Sequence, residues 1–101
     1  PVFAEQHFRI LSGRKFGQEG TVLKLQVQND AGNRIGAVCF RRTEEFEQFV
    51  IAEWGEDELK RMYEGRENLL DIAFTYYPSV NEYNGRRELQ IQIAGWCRIP
   101  R

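Results

Sequence analysis

The sequence predicts a mainly β fold, in which five short strands carry one helical segment between the third and the fourth. Three observations lead to this prediction. Apolar and polar residues alternate in several short runs, as they do in strands that have one buried face. Glycine-containing turn signals separate these runs. One stretch in the middle of the chain instead repeats its apolar residues at helical spacing.

Length and composition fit a single domain over residues 1–101. The hydrophobic fraction of 42% and the aromatic fraction of 13% argue against disorder. No apolar run approaches the ~20 residues of a membrane-spanning helix, so we expect no membrane partner. Because the chain starts at Pro1 and its only methionine is Met62, we expect it to be a piece of a longer protein.

The first part of the chain predicts three strands. The first strand covers 6–12 and leads into a loop over 13–20, where three glycines fall within eight residues. The second strand covers 21–29 and alternates cleanly between apolar and polar residues, with Leu23, Leu25 and Val27 expected to face inward. A hairpin turn over 30–33 then leads into the third strand, which covers 34–41.

The periodicity becomes helical after the third strand. A helix is expected to start with Thr43 as its N-cap and to end at Gly55. A second short helical turn follows and ends at Gly65. The apolar residues expected in the core from this segment are Phe46, Phe49, Val50, Trp54, Leu59, Met62 and Tyr63.

The last part of the chain predicts a hairpin. The fourth strand covers 69–77, and Pro78 is expected to stop it or to form a bulge. The Asn-Gly pair at 84–85 is typical of a type I′ turn, and the fifth strand covers 87–97 with a bulge or corner at Gly95. The residues expected to face inward are Leu70, Ile72, Phe74, Leu89, Ile91 and Ile93.

This order of elements is typical of a five-stranded OB-type barrel with one helical segment between strands 3 and 4. A split α+β sandwich with the helix on one face has the same order, so the order alone leaves both open. The long first loop and the tight last hairpin favour the barrel.

Charge is divided along the chain. Residues 43–67 contain nine acidic and three basic residues, whereas the rest contains six acidic and eleven basic residues. Charge segregation of this kind can create a basic binding face that the total charge of −1 conceals. The acidic segment is either a docking surface or a solvated helix, and the sequence leaves both readings open.

Patterns of catalysis or metal binding are weak. His7 is the only histidine, and it has no close spacing to Cys39 or Cys97 that would indicate a zinc site. We expect the two cysteines to be buried thiols of an intracellular protein rather than a disulfide. No serine has a recognisable base beside it in sequence, and no phosphate-binding loop is present. We therefore expect no catalytic residue and no cofactor in this domain.

One stretch carries a specific resemblance. Residues 81–92 read Asn-Glu-Tyr-Asn-Gly-Arg-Arg and then a Leu-Gln-rich strand, after the strand segment 71–75. This stretch resembles the C-terminal OB domain of RecJ-type single-strand-specific DNA exonucleases, and the segments 20–25 and 37–40 are similar to that family too. Val22 stands where the family usually has histidine, the acidic segment is longer, and extra residues around 77–79 are expected to widen the last hairpin.

The resemblance implies an accessory domain that binds single-stranded DNA non-specifically and guides it to catalytic domains of the same chain. Those domains would hold divalent Mn or Mg through an Asp-His-His motif that this sequence lacks. The parent protein would then be a cytoplasmic exonuclease of DNA repair.

A single-strand binder needs cations along the phosphates and aromatic rings under the bases. OB domains place these groups on the second and third strands and on the first and last loops. The candidate residues are Arg14, Lys15 and Phe16 in the first loop, Lys24 and Arg34 on the strands, and Tyr83 and Arg86 at the last hairpin.

Other cations and amides stay outside this set. Arg41 and Arg42 either bind the nucleic-acid strand or pair with Glu44 or Glu45, and Gln90 and Gln92 either hydrogen-bond to bases or form the polar side of a strand. Three alternatives remain open: docking to a protein through the acidic segment 43–67, a purely structural role, and RNA instead of DNA, since phosphates and stacking are common to both.

Overall fold

The computed structural model describes residues 4–98, apart from the side chain of Tyr83. Over these residues it confirms a mainly β fold with five strands and a helical segment between the third and the fourth. The elements are β1 (Ala4–Phe16), β2 (Val22–Gln28), β3 (Arg34–Phe40), α1 (Thr43–Trp54), α2 (Glu56–Tyr63), β4 (Asp71–Tyr83) and β5 (Arg86–Cys97).

The strands pair in the order β1-β2-β3-β5-β4, and β4 pairs again with β1. Every pairing is antiparallel except that of β3 with β5, which is parallel. The sheet therefore closes on itself as a barrel, and side chains that alternate inward along each strand fill its interior.

The core lies inside this barrel and continues into the helical segment. Phe46 of α1 is fully buried, with its ring centroid 6.1 Å from that of Phe74 and 5.3 Å from that of Trp96. The other fully or almost fully buried side chains include Phe8, Ile10, Leu23, Leu25, Val27, Val50, Met62, Leu70 and Ile72. The inward positions predicted for β2 and for the start of β4 are thereby confirmed.

The predicted loop over 13–20 is wrong in its first half. β1 continues to Phe16, and residues 14–16 pair with β2, so that the connection is reduced to residues 17–21 with a short 3-10 turn. Gly13 lies inside the strand, paired with Leu25, and α2 packs closely against it. A Cβ atom there would lie 2.8 Å from Cε of Met62, so this glycine permits helix packing and does not mark a loop.

The predictions for Pro78 and Leu89 are also wrong. β4 runs through Pro78, which pairs with Ile91, and the pairing stays regular from Tyr76 to Tyr83 without the expected widening. A proline is tolerated in a strand that has a single paired neighbour, and among the described residues β4 has only β5 beside it from residue 77 onward. The hairpin thus forms an arm beyond the barrel, and Leu89 on that arm is 67% exposed instead of facing the core.

Several turn and cap predictions are confirmed, and one is shifted. Gly55 ends α1 with a φ of 95°, and the 84–85 turn has the positive φ values of a type I′ turn. Gly95 lies at the bulge between β4 and β5. The cap position of α1 is occupied by Arg42, whereas Thr43 is the first helical residue and its buried hydroxyl has no partner among the described residues.

The cysteines differ from each other. Cys39 is buried and Cys97 is exposed, and neither forms a disulfide, so the prediction of two buried thiols is right only for Cys39. Among residues 4–98, no helix is long and apolar enough to cross a membrane.

Candidate nucleic-acid interface

The outer face of β1, β2 and β3 arranges the candidate residues in rows across the strands. Residues that are directly paired in a sheet have their side chains on the same face. Phe16 pairs with Val22, which pairs in turn with Phe40. Arg14 pairs with Lys24 in the next outward-facing row. An aromatic row therefore lies directly beside a basic row.

The aromatic row is open to solvent. The exposed fraction is 39% for Phe16 and 49% for Phe40, and both rings flank Val22. Exposed aromatic rings on a strand surface are the kind of platform on which single-stranded bases stack. The sequence does not single out Phe40, although the alternation that turns Cys39 inward also turns its neighbour outward.

The basic row has no acidic partner among residues 4–98. Neither Arg14 nor Lys24 makes an ion pair with a described residue, and the guanidinium of Arg14 lies 4.9 Å from the ring centroid of Phe16. Unpaired cations on a strand surface are available to neutralise phosphates. The aromatic ring holds Arg14 in place without reducing its charge.

A polar groove of about 780 Å³ continues from the basic row toward the β2–β3 turn and the β4–β5 arm. Lys24 and Arg34 supply its cations, and the arm adds Glu88. The seven residues of β2 span ~20 Å at ~3.4 Å per residue, so the aromatic row and Arg34 stand at opposite ends of one surface. The remaining residues of the groove are Gln26, Asn29, Asn33, Ile35, Gly36, Asn81, Leu89 and Gln90.

The hairpin candidates lie at the flank of this surface. Arg86 is exposed directly after the turn and has no ion pair with a described residue, whereas Arg87 lies 3.6 Å from a carboxylate oxygen of Glu82. Arg86 is four residues from Gln90, or ~14 Å along β5. The side chain of Tyr83 lies outside the described part of the structure.

Lys15 is not part of this face. Its Nζ atom lies 2.9 Å from Oε2 of Glu47 and 5.2 Å from the ring centroid of Tyr63. The Tyr63 hydroxyl donates to the same carboxylate oxygen at 2.6 Å, and burial together with this hydrogen bond raises the pKa of Tyr63. Lys15 therefore connects β1 to both helices, on the side of the strand away from Arg14.

Comparison with known families adds to this geometry. The family model of the RecJ OB domain matches residues 1–95. The chain belongs to this family. The resemblance seen in the sequence is confirmed, and a RecJ OB domain indicates a nucleic-acid-binding accessory domain of RecJ-type proteins. The curated proteins and the solved structures contain no match to the chain.

Two arginines at the start of the helical segment of this RecJ OB domain behave differently. Arg42 has its Nε atom 2.6 Å from Oε2 of Glu45 and donates to the carbonyl of Ala94 at 2.7 Å, so its expected pairing is confirmed. Arg41 has no ion pair with a described residue, and its φ of 60° is left-handed. It directly follows Phe40, which adds a cation at the aromatic end of the surface.

Within residues 4–98 of this RecJ OB domain, histidine, cysteine and carboxylate side chains form no group of three or more that would hold a metal ion. His7 instead lies 3.2 Å from Oδ1 of Asp71, across the pairing of β1 with β4. The chemistry that the described surface offers is stacking, hydrogen bonding and charge neutralisation.

Proposed function

We propose that this RecJ OB domain binds single-stranded DNA non-specifically and guides the strand toward catalytic exonuclease domains of the same chain. One observation carries the proposal: two exposed aromatic rings, Phe16 and Phe40, lie in the row next to Arg14 and Lys24, two cations that form no ion pair with a described residue. Single-strand binders without sequence preference combine these two features.

The geometry suggests how a strand would lie. Bases stack on the rings of Phe16 and Phe40, while the phosphates pass Arg14 and Lys24 and continue toward Arg34. A surface of this length suits the low end of the ~4–16 nucleotides that one OB fold covers. Stacking and phosphate contacts are common to all sequences, so binding is expected to depend on strandedness and salt more than on sequence.

The domain's contribution to the parent enzyme is positional. Because this domain is linked to the catalytic domains, a strand that it binds would be held near their entrance. The local concentration of substrate there would rise accordingly. The hydrolysis itself, with divalent Mn or Mg, belongs to those other domains in this proposal. DNA repair in the cytoplasm is the corresponding setting.

The test is fluorescence anisotropy of a labelled single strand, with a duplex and an RNA strand of the same sequence as comparisons. The double variant Arg14→Gln/Lys24→Gln should weaken binding and reduce the slope of log K against log salt by ~1.4, since each phosphate contact contributes ~0.7. The matched control Lys60→Gln/Arg66→Gln changes the net charge equally at exposed sites of the acidic segment and should bind like the wild type.

Four results bear on the proposal. Salt-sensitive binding that prefers the single DNA strand supports it. An equal loss in the control variant would mean that only the net charge matters, and no single-strand binding at low salt would overturn it. Preferential binding of the RNA strand would reassign the substrate.

A second candidate function is docking to another protein domain through the acidic segment. The specific observation is that Glu44, Glu56, Asp57 and Glu67 are exposed and have no ion pair with described residues. The variant Glu56→Gln/Asp57→Asn separates the two candidates, because it should spare DNA binding but weaken association with the catalytic domains if this segment is the docking surface.

A further inference from the structure

Gly36 lies in the middle of β3, at the bottom of the polar groove. Glycine inside a strand weakens the strand, because it has the greatest conformational freedom to lose and no side chain to pack. A glycine in this position therefore needs a reason, which is either a requirement of the fold or the close approach of another molecule.

Positive φ or close packing accounts for eight of the nine glycines, but neither accounts for Gly36. Six of them have a positive φ, where a side chain is strained. At Gly13 and Gly95 an added Cβ atom would lie 2.8 Å from Met62 and Thr75, respectively. Gly36 has no positive φ, and a Cβ atom there would make ordinary contacts at 3.8 and 4.0 Å. A methyl group fits at this position, so the fold does not explain its absence.

The groups around Gly36 fit a nucleobase. The paired residues on either side of it are Gln26 of β2 and Gln90 of β5, and neither amide group makes a hydrogen bond to a described residue. An amide offers a donor and an acceptor side by side, which matches the edge of a base and not a phosphate. Lys24 lies on the same surface, with its Cε atom 4.0 Å from the point where a Cβ of residue 36 would be.

We propose that Gly36 is the floor of a nucleobase subsite, in which one base of the bound strand lies against the backbone of β3. Gln26 and Gln90 hydrogen-bond to the edges of this base, and Lys24 binds an adjacent phosphate. This inference rests on the proposed single-strand binding. It adds a third base contact, which lies in the groove and apart from the two aromatic rings outside it.

The decisive variant is Gly36→Ala. Because a methyl group fits the fold, the variant should have a melting temperature that is raised by about 2–8 °C, from the cost of glycine in a strand and the sensitivity of a domain of this size. Because the same methyl group occupies the floor of the subsite, single-strand binding should weaken roughly tenfold, the loss expected when one or two hydrogen bonds are displaced. If the melting temperature is raised, weaker binding by this variant is not the result of a folding defect.

Two further measurements identify the ligand group. Gln26→Ala/Gln90→Ala should weaken binding of the normal strand, whereas Gln6→Ala, an exposed amide outside the groove, should have no effect. A strand of abasic sugar-phosphate units should bind equally to the wild type and to Gly36→Ala, because it has no base to place on residue 36.

The outcomes separate this inference from the function on which it rests. Failure of the wild type to bind any single strand would overturn the proposed function. If the wild type binds and the Arg14/Lys24 variant is weakened, but Gly36→Ala and the glutamine variants bind normally, only the subsite is overturned. A lowered melting temperature of Gly36→Ala would show that the fold needs this glycine and would also overturn the subsite.

Discussion

Arg14 and Lys15 are neighbours on β1 whose side chains leave the strand on opposite sides. Arg14 lies over the ring of Phe16, at 4.9 Å from its centroid, on the outer face of the sheet. Lys15 reaches Glu47 of α1 at 2.9 Å. The alternation of side chains along a strand thus assigns one cation to the candidate DNA surface and the next to the attachment of the helices.

Single substitutions of these two cations should give opposite results. Lys15→Gln removes a partly exposed ion pair and should lower the free energy of unfolding by ~0.5 kcal/mol, with DNA binding unchanged. Arg14→Gln should leave the stability unchanged and weaken single-strand binding. Urea unfolding and anisotropy on both variants check this, and a binding loss for Lys15→Gln equal to that of Arg14→Gln would contradict it.

The two exposed rings should contribute separately to binding. Phe16→Ala or Phe40→Ala removes one stacking surface, which is worth ~1–3 kcal/mol per base, so the dissociation constant should rise by roughly 5- to 150-fold. Because these residues are only 39% and 49% exposed, each truncation also removes buried apolar area and should lower the melting temperature by several degrees, so binding is measured well below the melting transition.

Matched variants distinguish stacking from general apolar contact. Leu69→Ala removes an apolar side chain that is 67% exposed and lies between α2 and β4, outside the rows of β1, β2 and β3, so it should bind DNA normally. Phe40→Tyr keeps the ring and should retain binding. An equal loss for Leu69→Ala would mean that the aromatic row has no special function.

The glycines illustrate which structural features local sequence predicts and which it does not. Gly55 is read correctly as a helix end, because its φ of 95° is a local requirement that the surrounding pattern also indicates. Gly13 is misread as a loop, because its reason is the approach of Met62 from α2, almost fifty residues away. Because of that error, Arg14 and Phe16 are predicted in a loop although they lie in β1. Both are nevertheless on the candidate surface.

Periodicity likewise predicts which side chains of a strand share a face, but it does not predict how far along the strand the barrel pairing extends. Leu89 and Ile91 alternate in phase on β5, yet Leu89 is 67% exposed and Ile91 only 4%. The difference arises because β3 pairs with β5 only over residues 90–92, so that within the described part of the chain no second strand covers the arm beyond them. The extent of a long-range pairing is a tertiary property that no local pattern contains.

Asn68 should be a main determinant of stability apart from DNA binding. Its buried amide donates to the carbonyls of Ile10 and Arg66 at 3.0 and 3.1 Å, and its Oδ1 atom accepts from the N–H of Leu70 at 2.9 Å. Asn68→Ala leaves these groups without their partner and should cost ~2–4 kcal/mol, because each unsatisfied buried group costs ~1–3 kcal/mol.

The control for Asn68 is an asparagine that makes a similar contact in solvent. Oδ1 of Asn29 accepts from the N–H of Asn33 at 2.8 Å at an exposed turn. Asn29→Ala should cost only ~0.5 kcal/mol, since water replaces the lost acceptor. Urea unfolding compares the two variants, and equal losses would contradict the importance assigned to burial.

The two thiols should react at very different rates. Cys39 is 1% exposed, and burial raises its pKa, so that less of the reactive thiolate is present at a given pH. Cys97 is exposed. An aromatic disulfide reagent at pH 8 should therefore modify one thiol per chain in the native domain and two in urea.

The variant Cys97→Ser should show almost no native modification, and Cys39→Ser should react like the wild type. The raised pKa of Cys39 also predicts a pH dependence of stability, because the native state then holds its proton more tightly than the unfolded chain. This contribution is fully present below the pKa of an unfolded thiol and is lost as the pH rises through the raised value. The alkaline fall in the free energy of unfolding should thus be smaller in Cys39→Ser than in the wild type, and an identical fall in both would refute the assignment to this thiol.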